Sequence, residues 1–436
     1  MRDTGRAVDP AGRSATSVPI APDTVTRRTL DGGAIVLVRE SHATPALTLQ
    51  GYLPAGAMQE PEACGGLALL TGSLLTRGTA SHTSESLALT LDTLGASLSV
   101  RADIEGVSFG VRCLSEDAGR MLDLLAEVLI RPTFPADEIE KQRAKLITGI
   151  RESRHDTRVM ADKTFRGTAF PAGHPYHRPL EGEEETVAAL TREDLVEFHR
   201  RWYRPNGAVL AIVGDVETDE VIARLERVFD GWQPSPSALS VAVPPAYPAA
   251  SVQRREVVIP GKTQADIVLG VPGFSRTSPD YYEAMMADLI LGRLGLMGRL
   301  GATVRDEEGL AYYVYSQAQA GFVAGPWAVR AGVNPKNVER AIVGILREVK
   351  GLRAQPVRDG ELEDARDYLT GSLAVRLETD AGIAQALLEI ELFDLGLDYL
   401  HRYPSLIAAV TPEQIGAAAA RYLTLDGYTV AIATPP

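Results

Sequence analysis

Few residues in this 436-residue chain combine reactive chemistry with a useful spacing. His174 and His177 stand three apart in "HPYHRP", where the prolines disfavour a helix and no neighbouring Cys, Asp or Glu completes a metal site. A structural loop is the expected role there. His155 beside Asp156 reads as the end of a solvated helix. Cys64 and Cys113 lack CxxC or CxxH companions, so they read as small buried side chains rather than disulfide or zinc ligands. The glycine-rich "GRLGLMGRLG" (292–301) has no following Lys-Ser/Thr for a phosphate loop and suits close helix packing or a mobile wall. Arg305 and Tyr312, seven apart in "RDEEGLAY", are the remaining pair. A guanidinium and a phenol hydroxyl that converge make two donors suited to an oxygen gaining negative charge. Gly309 can turn the chain between them by ending a helix in the left-handed conformation. Spacing alone leaves a second reading open: Arg305 pairs with Glu308 on its own helix, and Tyr312 is one strand aromatic beside Tyr313 and Tyr315.

The elements that must position these residues follow a repeated plan. The composition, 45% hydrophobic and 23% charged, supports a large core in more than one domain. A net charge of −13 argues against a general nucleic-acid surface. No run reaches the ~20 apolar residues of a membrane span, and the N-terminus lacks the apolar core of a secretory signal, so a cytoplasmic protein without a membrane partner is expected. Residues 1–24 read as a flexible lead-in and 233–252 as a proline-rich linker. The two flanking segments, 25–232 and 253–436, repeat one another at an offset of roughly 220 residues. "PALTLQGYLPAGA" parallels "QADIVLGVPGFS", the helical blocks at 111–150 and 329–373 correspond, and "LTREDLVEFHRRWYRPNGAVLAIVG" parallels "VTPEQIGAAAARYLTLDGYTVAIAT". Within a unit, neighbouring strands join across short turns such as "DIEG", and the helices follow in a block. This predicts an α+β protein of two homologous domains, each an antiparallel-rich sheet with helices packed on it.

"GGLALLTGSLLTRGT" (65–79), "HPYHRPLEG" (174–182), "RWYRPNGAVLAIVGDV" (201–216) and "VRDEEGLAYYVYS" (304–316) occur in an order that resembles the pitrilysin or insulinase-like zinc metallopeptidases, in the branch of short two-domain subunits. Active members carry His-x-x-Glu-His, whose histidines at i and i+4 grip Zn²⁺ from one helix face while the glutamate acts as base. Over this sequence the flanks match without gaps, and Leu69, Gly72 and Ser73 fall on the three motif positions. The family's further glutamates, on a later helix, fall on Gln142 and Gly149, with Glu140 and Glu152 out of phase. The resemblance therefore implies a degenerate zinc site, with no cofactor in this chain. It implies equally that Arg305 and Tyr312 are the pair by which a zinc-free subunit holds the scissile carbonyl at its partner's zinc. The expected partners are a homologous zinc-bearing subunit, in a heterodimer, and a peptide substrate. A structural assembly scaffold and a homodimeric peptide-binding protein are the alternatives.

Overall fold

A computed structural model describes residues 20–236 and 241–436. Most of the 1–24 lead-in and positions 237–240 of the linker lie outside the described residues. Eleven strands among the described residues form two sheets. The first contains β1 (Thr26–Thr29), β2 (Ile35–Glu40), β3 (Ala46–Leu53), β4 (Ser97–Ala102), β5 (Val107–Leu114) and β6 (Val209–Gly214) in the order β1-β2-β6-β3-β5-β4. The second contains β7 (Gln253–Val258), β8 (Ala265–Pro272), β9 (Ala311–Ala320), β10 (Ala324–Val333) and β11 (Thr429–Thr434) in the order β7-β11-β8-β10-β9. Without β1 the two orders coincide strand for strand, and each has one parallel pair, β2/β6 and β7/β11, among antiparallel neighbours. The repeat in the sequence is thus a repeat of topology. "DIEG" forms the tight turn between β4 and β5.

The helices are shared between the halves. Helix Thr157–Ala169 follows the first sheet's strands β1–β5 in the chain but packs on β8 and β11 of the second sheet. Helix Asp380–Leu392 does the reverse, lying on β3 and β6. Ala161 and Phe165 bury themselves against Val268, Ala328, Ala431 and Ala433, where the small strand residues let the helix approach. Ile383 and Leu387 share a cluster with Leu37, Val209, Ala211 and Val213. Each sheet is therefore covered on both faces, by its own helices on one and by a helix from the other half on the opposite one. Strands covered twice carry apolar residues throughout rather than at alternate positions. β8 is buried along its whole length, and β6, "VLAIVG", is likewise fully buried.

Candidate functional site

The helix carrying the first three motif positions, Leu67–Leu74, begins where Gly66 adopts a left-handed φ of 91°. The buried Glu60 carboxylate accepts from Ala68 N–H at 2.6 Å and holds this helix start. Arg178, from the "HPYHRPLEG" loop, lies 3.6 Å from the other Glu60 oxygen and donates to the carbonyls of Ala57, Glu60 and Pro61. Burial raises the Glu60 carboxyl to about 7, against the opposing pull of Ala68 N–H and Arg178. Leu69 and Ser73, four apart, are half-buried on one helix face. The Ser73 hydroxyl is turned back onto its own helix and donates to Leu70 O at 2.8 Å. Gly72 is buried, and a Cβ there would stand 3.1 Å from the Cβ of Ala102 on β4. The glycine thus accommodates a close approach of helix to strand.

Helix Ala136–Ser153 packs beside this helix, with Gln142 half-buried and Gly149 exposed, facing open space where a side chain would project. Leucine and glycine offer no ligand atom, the serine oxygen is engaged, and an amide is a weak partner for zinc beside imidazole or carboxylate. The residues present do not fit a zinc ion. Among the described residues no group of three or more His, Cys, Asp or Glu is placed to hold a metal. His174 is buried, accepts from Tyr176 N–H at 3.1 Å and packs against the Phe170 ring at 4.7 Å, and burial, then the charge of His177, lowers it to about 4. His177 bonds Phe170 O at 2.8 Å, so both histidines brace their loop. Cys113 is buried and Cys64 half-buried, and both are free thiols.

Arg305 sits in the helical segment Gly301–Glu307. The segment closes through Gly309 N–H to Arg305 O at 3.1 Å, with Gly309 at φ 60°, and β9 starts two residues later at Ala311. The turn expected of Gly309 is formed. Glu308 pairs with Arg347 instead of Arg305, and the Arg305 side chain has no hydrogen bond or ion pair among the described residues. Both Arg305 and Tyr312 are exposed, Tyr312 by 62%. Ala311 pairs with Val333 and Tyr313 with Gly332 on β10, so Tyr312 is the extra residue of a β-bulge at the start of β9, and simple strand alternation does not set its direction. The glycine-rich segment beside Arg305 is closely packed: a Cβ on Gly301 would meet Gly295 O at 2.2 Å, and one on Gly298 would meet Gly292 Cα at 2.9 Å.

A cavity of about 760 Å³ lies between the two halves, and Tyr313 and Tyr315 line it while Arg305 and Tyr312 do not. Four of its charged groups, Arg158, Asp162, Lys163 and Arg166, come from the exchanged helix Thr157–Ala169. Asp162 takes Arg166 from its own helix and Arg330 from β10. Burial works to raise this carboxyl, but the two guanidiniums outweigh it and hold it below the ordinary carboxylate range. Buried Asp266 on β8 accepts from the hydroxyls of Thr157 and Tyr313 and from Gln264 Nε2 at 2.9 Å. Arg158 lies 4.2 Å from the centre of the Tyr313 ring. Glu105, at the β4–β5 turn, accepts from the N–H groups of Phe322 and Val323 at the β9–β10 turn, which joins the two equivalent hairpin tips. Reading motifs along the chain misses this network. The i, i+4 spacing of Arg158, Asp162 and Arg166 is the only local signal for it, and their partners lie more than a hundred residues away.

The chain is thus a repeated α+β unit that exchanges helices between its halves and encloses a chamber, and helix Leu67–Leu74 offers no metal ligand at Leu69, Gly72 or Ser73. Comparison with known proteins gives its family. The family model described as insulinase (peptidase family M16) matches residues 35–181, and the one described as peptidase M16 inactive domain matches residues 189–369. The chain belongs to the M16 peptidase family. It is 26% identical, over 91% of its length and 86% of the relative's, to an uncharacterized zinc protease of Streptomyces coelicolor. It is 24% identical, over 84% of its length and 81% of the relative's, to a probable mitochondrial-processing peptidase subunit beta of Schizosaccharomyces pombe. The crystal structure of a peptidase M16 inactive domain from Pseudomonas fluorescens superposes with a TM-score of 0.87 at 27% identity, covering 94% of this chain and 98% of that one.

Proposed function

We propose that this chain is the non-catalytic subunit of a heterodimeric zinc metallopeptidase. It forms half of the peptide-binding chamber and presents Arg305 and Tyr312 to the reaction centre of a zinc-bearing homologue. The observation that carries this reading is that both helices are in place while Leu69, Gly72, Ser73, Gln142 and Gly149, which the resemblance matches to the functional positions, carry no imidazole or carboxylate. The exposure of both Arg305 and Tyr312 and the unpaired Arg305 side chain support a role toward a group outside this chain. Two neutral or cationic donors brought to a scissile carbonyl favour the state in which its oxygen carries negative charge. β4 and β9 each form one edge of their sheet, opposite β1 and β7, which suits an extended peptide added as a further strand.

The presence of the Arg305 and Tyr312 motif favours this reading over an assembly scaffold or a homodimeric peptide-binding protein. The test is turnover of a quenched fluorescent peptide by the chain assembled with a subunit carrying His-x-x-Glu-His. Arg305→Ala is expected to lower kcat by about 10²- to 10³-fold, and Tyr312→Phe to lower it in the same direction, with assembly intact on gel filtration. Unchanged turnover in both variants would leave the pair with only a structural part.

A further inference from the structure

Outside the inter-half chamber, the helix layer of the second half encloses a cavity of about 430 Å³, a size typical of small-ligand sites. Its walls are helix Tyr281–Asp288 with its continuation to Arg293, helix Asp359–Arg376, helix Asp380–Leu392 and helix Tyr399–Ala408, together with Arg276 from the turn after β8. In the repeated topology, the first two walls are the counterparts of the helices that carry the ligandless metal positions in the first half.

The charged residues of this wall are Arg276, Arg293, Arg376 and Glu389, so three guanidiniums face one carboxylate. That carboxylate accepts from Gln385 Nε2 at 3.2 Å rather than from an arginine. The chamber between the halves is built differently, since its acids and bases are equal in number and Asp162 and Asp266 answer its arginines. Arg276 is half-buried with no acidic partner. Its guanidinium lies 4.0 Å from the centre of the Tyr281 ring, within 5.7 Å of the rings of Tyr282, Phe393 and Tyr399, and donates to Tyr399 Oη at 3.0 Å. Ring faces attract a cation but leave most of its five N–H donors unused. Arg293 and Arg376 are exposed and form no side-chain hydrogen bond or ion pair among the described residues. Asp288, near enough to Arg293 to feel its charge, gives its oxygens to Ser316 Oγ and Ala318 N–H.

A concave site with low-dielectric walls focuses such an excess of positive charge. The guanidinium fork matches a carboxylate or a phosphate, and tyrosine faces match a flat apolar group. We infer that this cavity binds a small organic anion, a planar or aromatic group bearing a carboxylate or a phosphate, with Arg276 as its principal ligand and Arg293 and Arg376 as its outer charges. The inference is independent of the Arg305 and Tyr312 reading, because it concerns binding by this chain alone.

The test is calorimetric titration of the full chain, without a partner, at low salt, using N-acetyl-L-phenylalanine, phenyl phosphate and the neutral N-acetyl-L-phenylalanine amide. At least one anion is expected to bind saturably at one site per chain, with the amide about tenfold or more weaker. The tighter of the two anions identifies the carboxylate or the phosphate as the preferred headgroup. Arg276→Gln is expected to weaken binding by about tenfold or more, and Arg293→Gln with Arg376→Gln to weaken it and flatten its salt dependence. The double variant alters exposed side chains, so it decides the matter even where Arg276→Gln fails to fold. Absence of saturable binding by both anions, equal binding of the amide, or wild-type affinity in the double variant would overturn the inference.

Discussion

At the scale of single residues, Glu60 ties the ligandless helix to the rest of the first half, and it does so as a carboxyl kept from water. Its folded value of about 7 lies above the ordinary 4.5. The folded chain therefore holds this proton more tightly than the unfolded chain. The resulting stabilisation is complete below about pH 4.5 and is lost as pH rises through 7. Glu60→Gln keeps an acceptor for Ala68 N–H and removes the ionisation. Between pH 5 and pH 8 the wild type is expected to lose on the order of 3 kcal/mol more unfolding free energy than the variant. Urea unfolding at the two pH values measures the difference, and parallel losses would show that Glu60 ionises freely in the folded state. The free Arg305 side chain belongs to the same scale. The Glu308 that could have occupied it is taken by Arg347, from a helix 39 residues further along the chain.

At the scale of elements, the exchanged helices join the halves. Phe165 is fully buried on the second sheet and Leu387 on the first. Phe165→Ala is expected to cost roughly 3–5 kcal/mol and Leu387→Ala roughly 2–5 kcal/mol. Because each residue sits under a sheet of the other half, both substitutions are expected to destabilise the whole chain in one transition. Loss of only one half's signal, followed by hydrogen exchange, would show that the halves unfold separately. Much of this level was legible in the sequence. The roughly 220-residue repeat gave the matching strand orders, and the "DIEG" turn and the Gly309 helix end formed where their residue types require. The exchange was not legible, because an amphipathic helix shows that it has an apolar face but not which sheet covers it. The same limit hid the Asp162 and Asp266 networks, whose partners come from distant segments of the chain. It also hid the arginine-rich cavity, since Arg276, Arg293 and Arg376 share no sequence motif.

At the scale of the whole molecule, the chain keeps the M16 architecture, while Leu69, Gly72, Ser73, Gln142 and Gly149, which the resemblance matches to the family's metal-ligand and functional-glutamate positions, carry no imidazole or carboxylate. Gly66 of the first motif starts its helix, and Glu60, before the motif, caps it, so this part of the stretch builds structure whether or not metal is bound. In the proposed function, the exposed Arg305 and Tyr312 act together with a second subunit. The most direct measurement is chelator-sensitive hydrolysis of a quenched fluorescent peptide by the purified chain, by a zinc-motif homologue, and by the two together. The account predicts no hydrolysis by this chain alone and turnover by the pair that falls when Arg305 is replaced by alanine. Robust, chelator-sensitive hydrolysis by the isolated chain would contradict it.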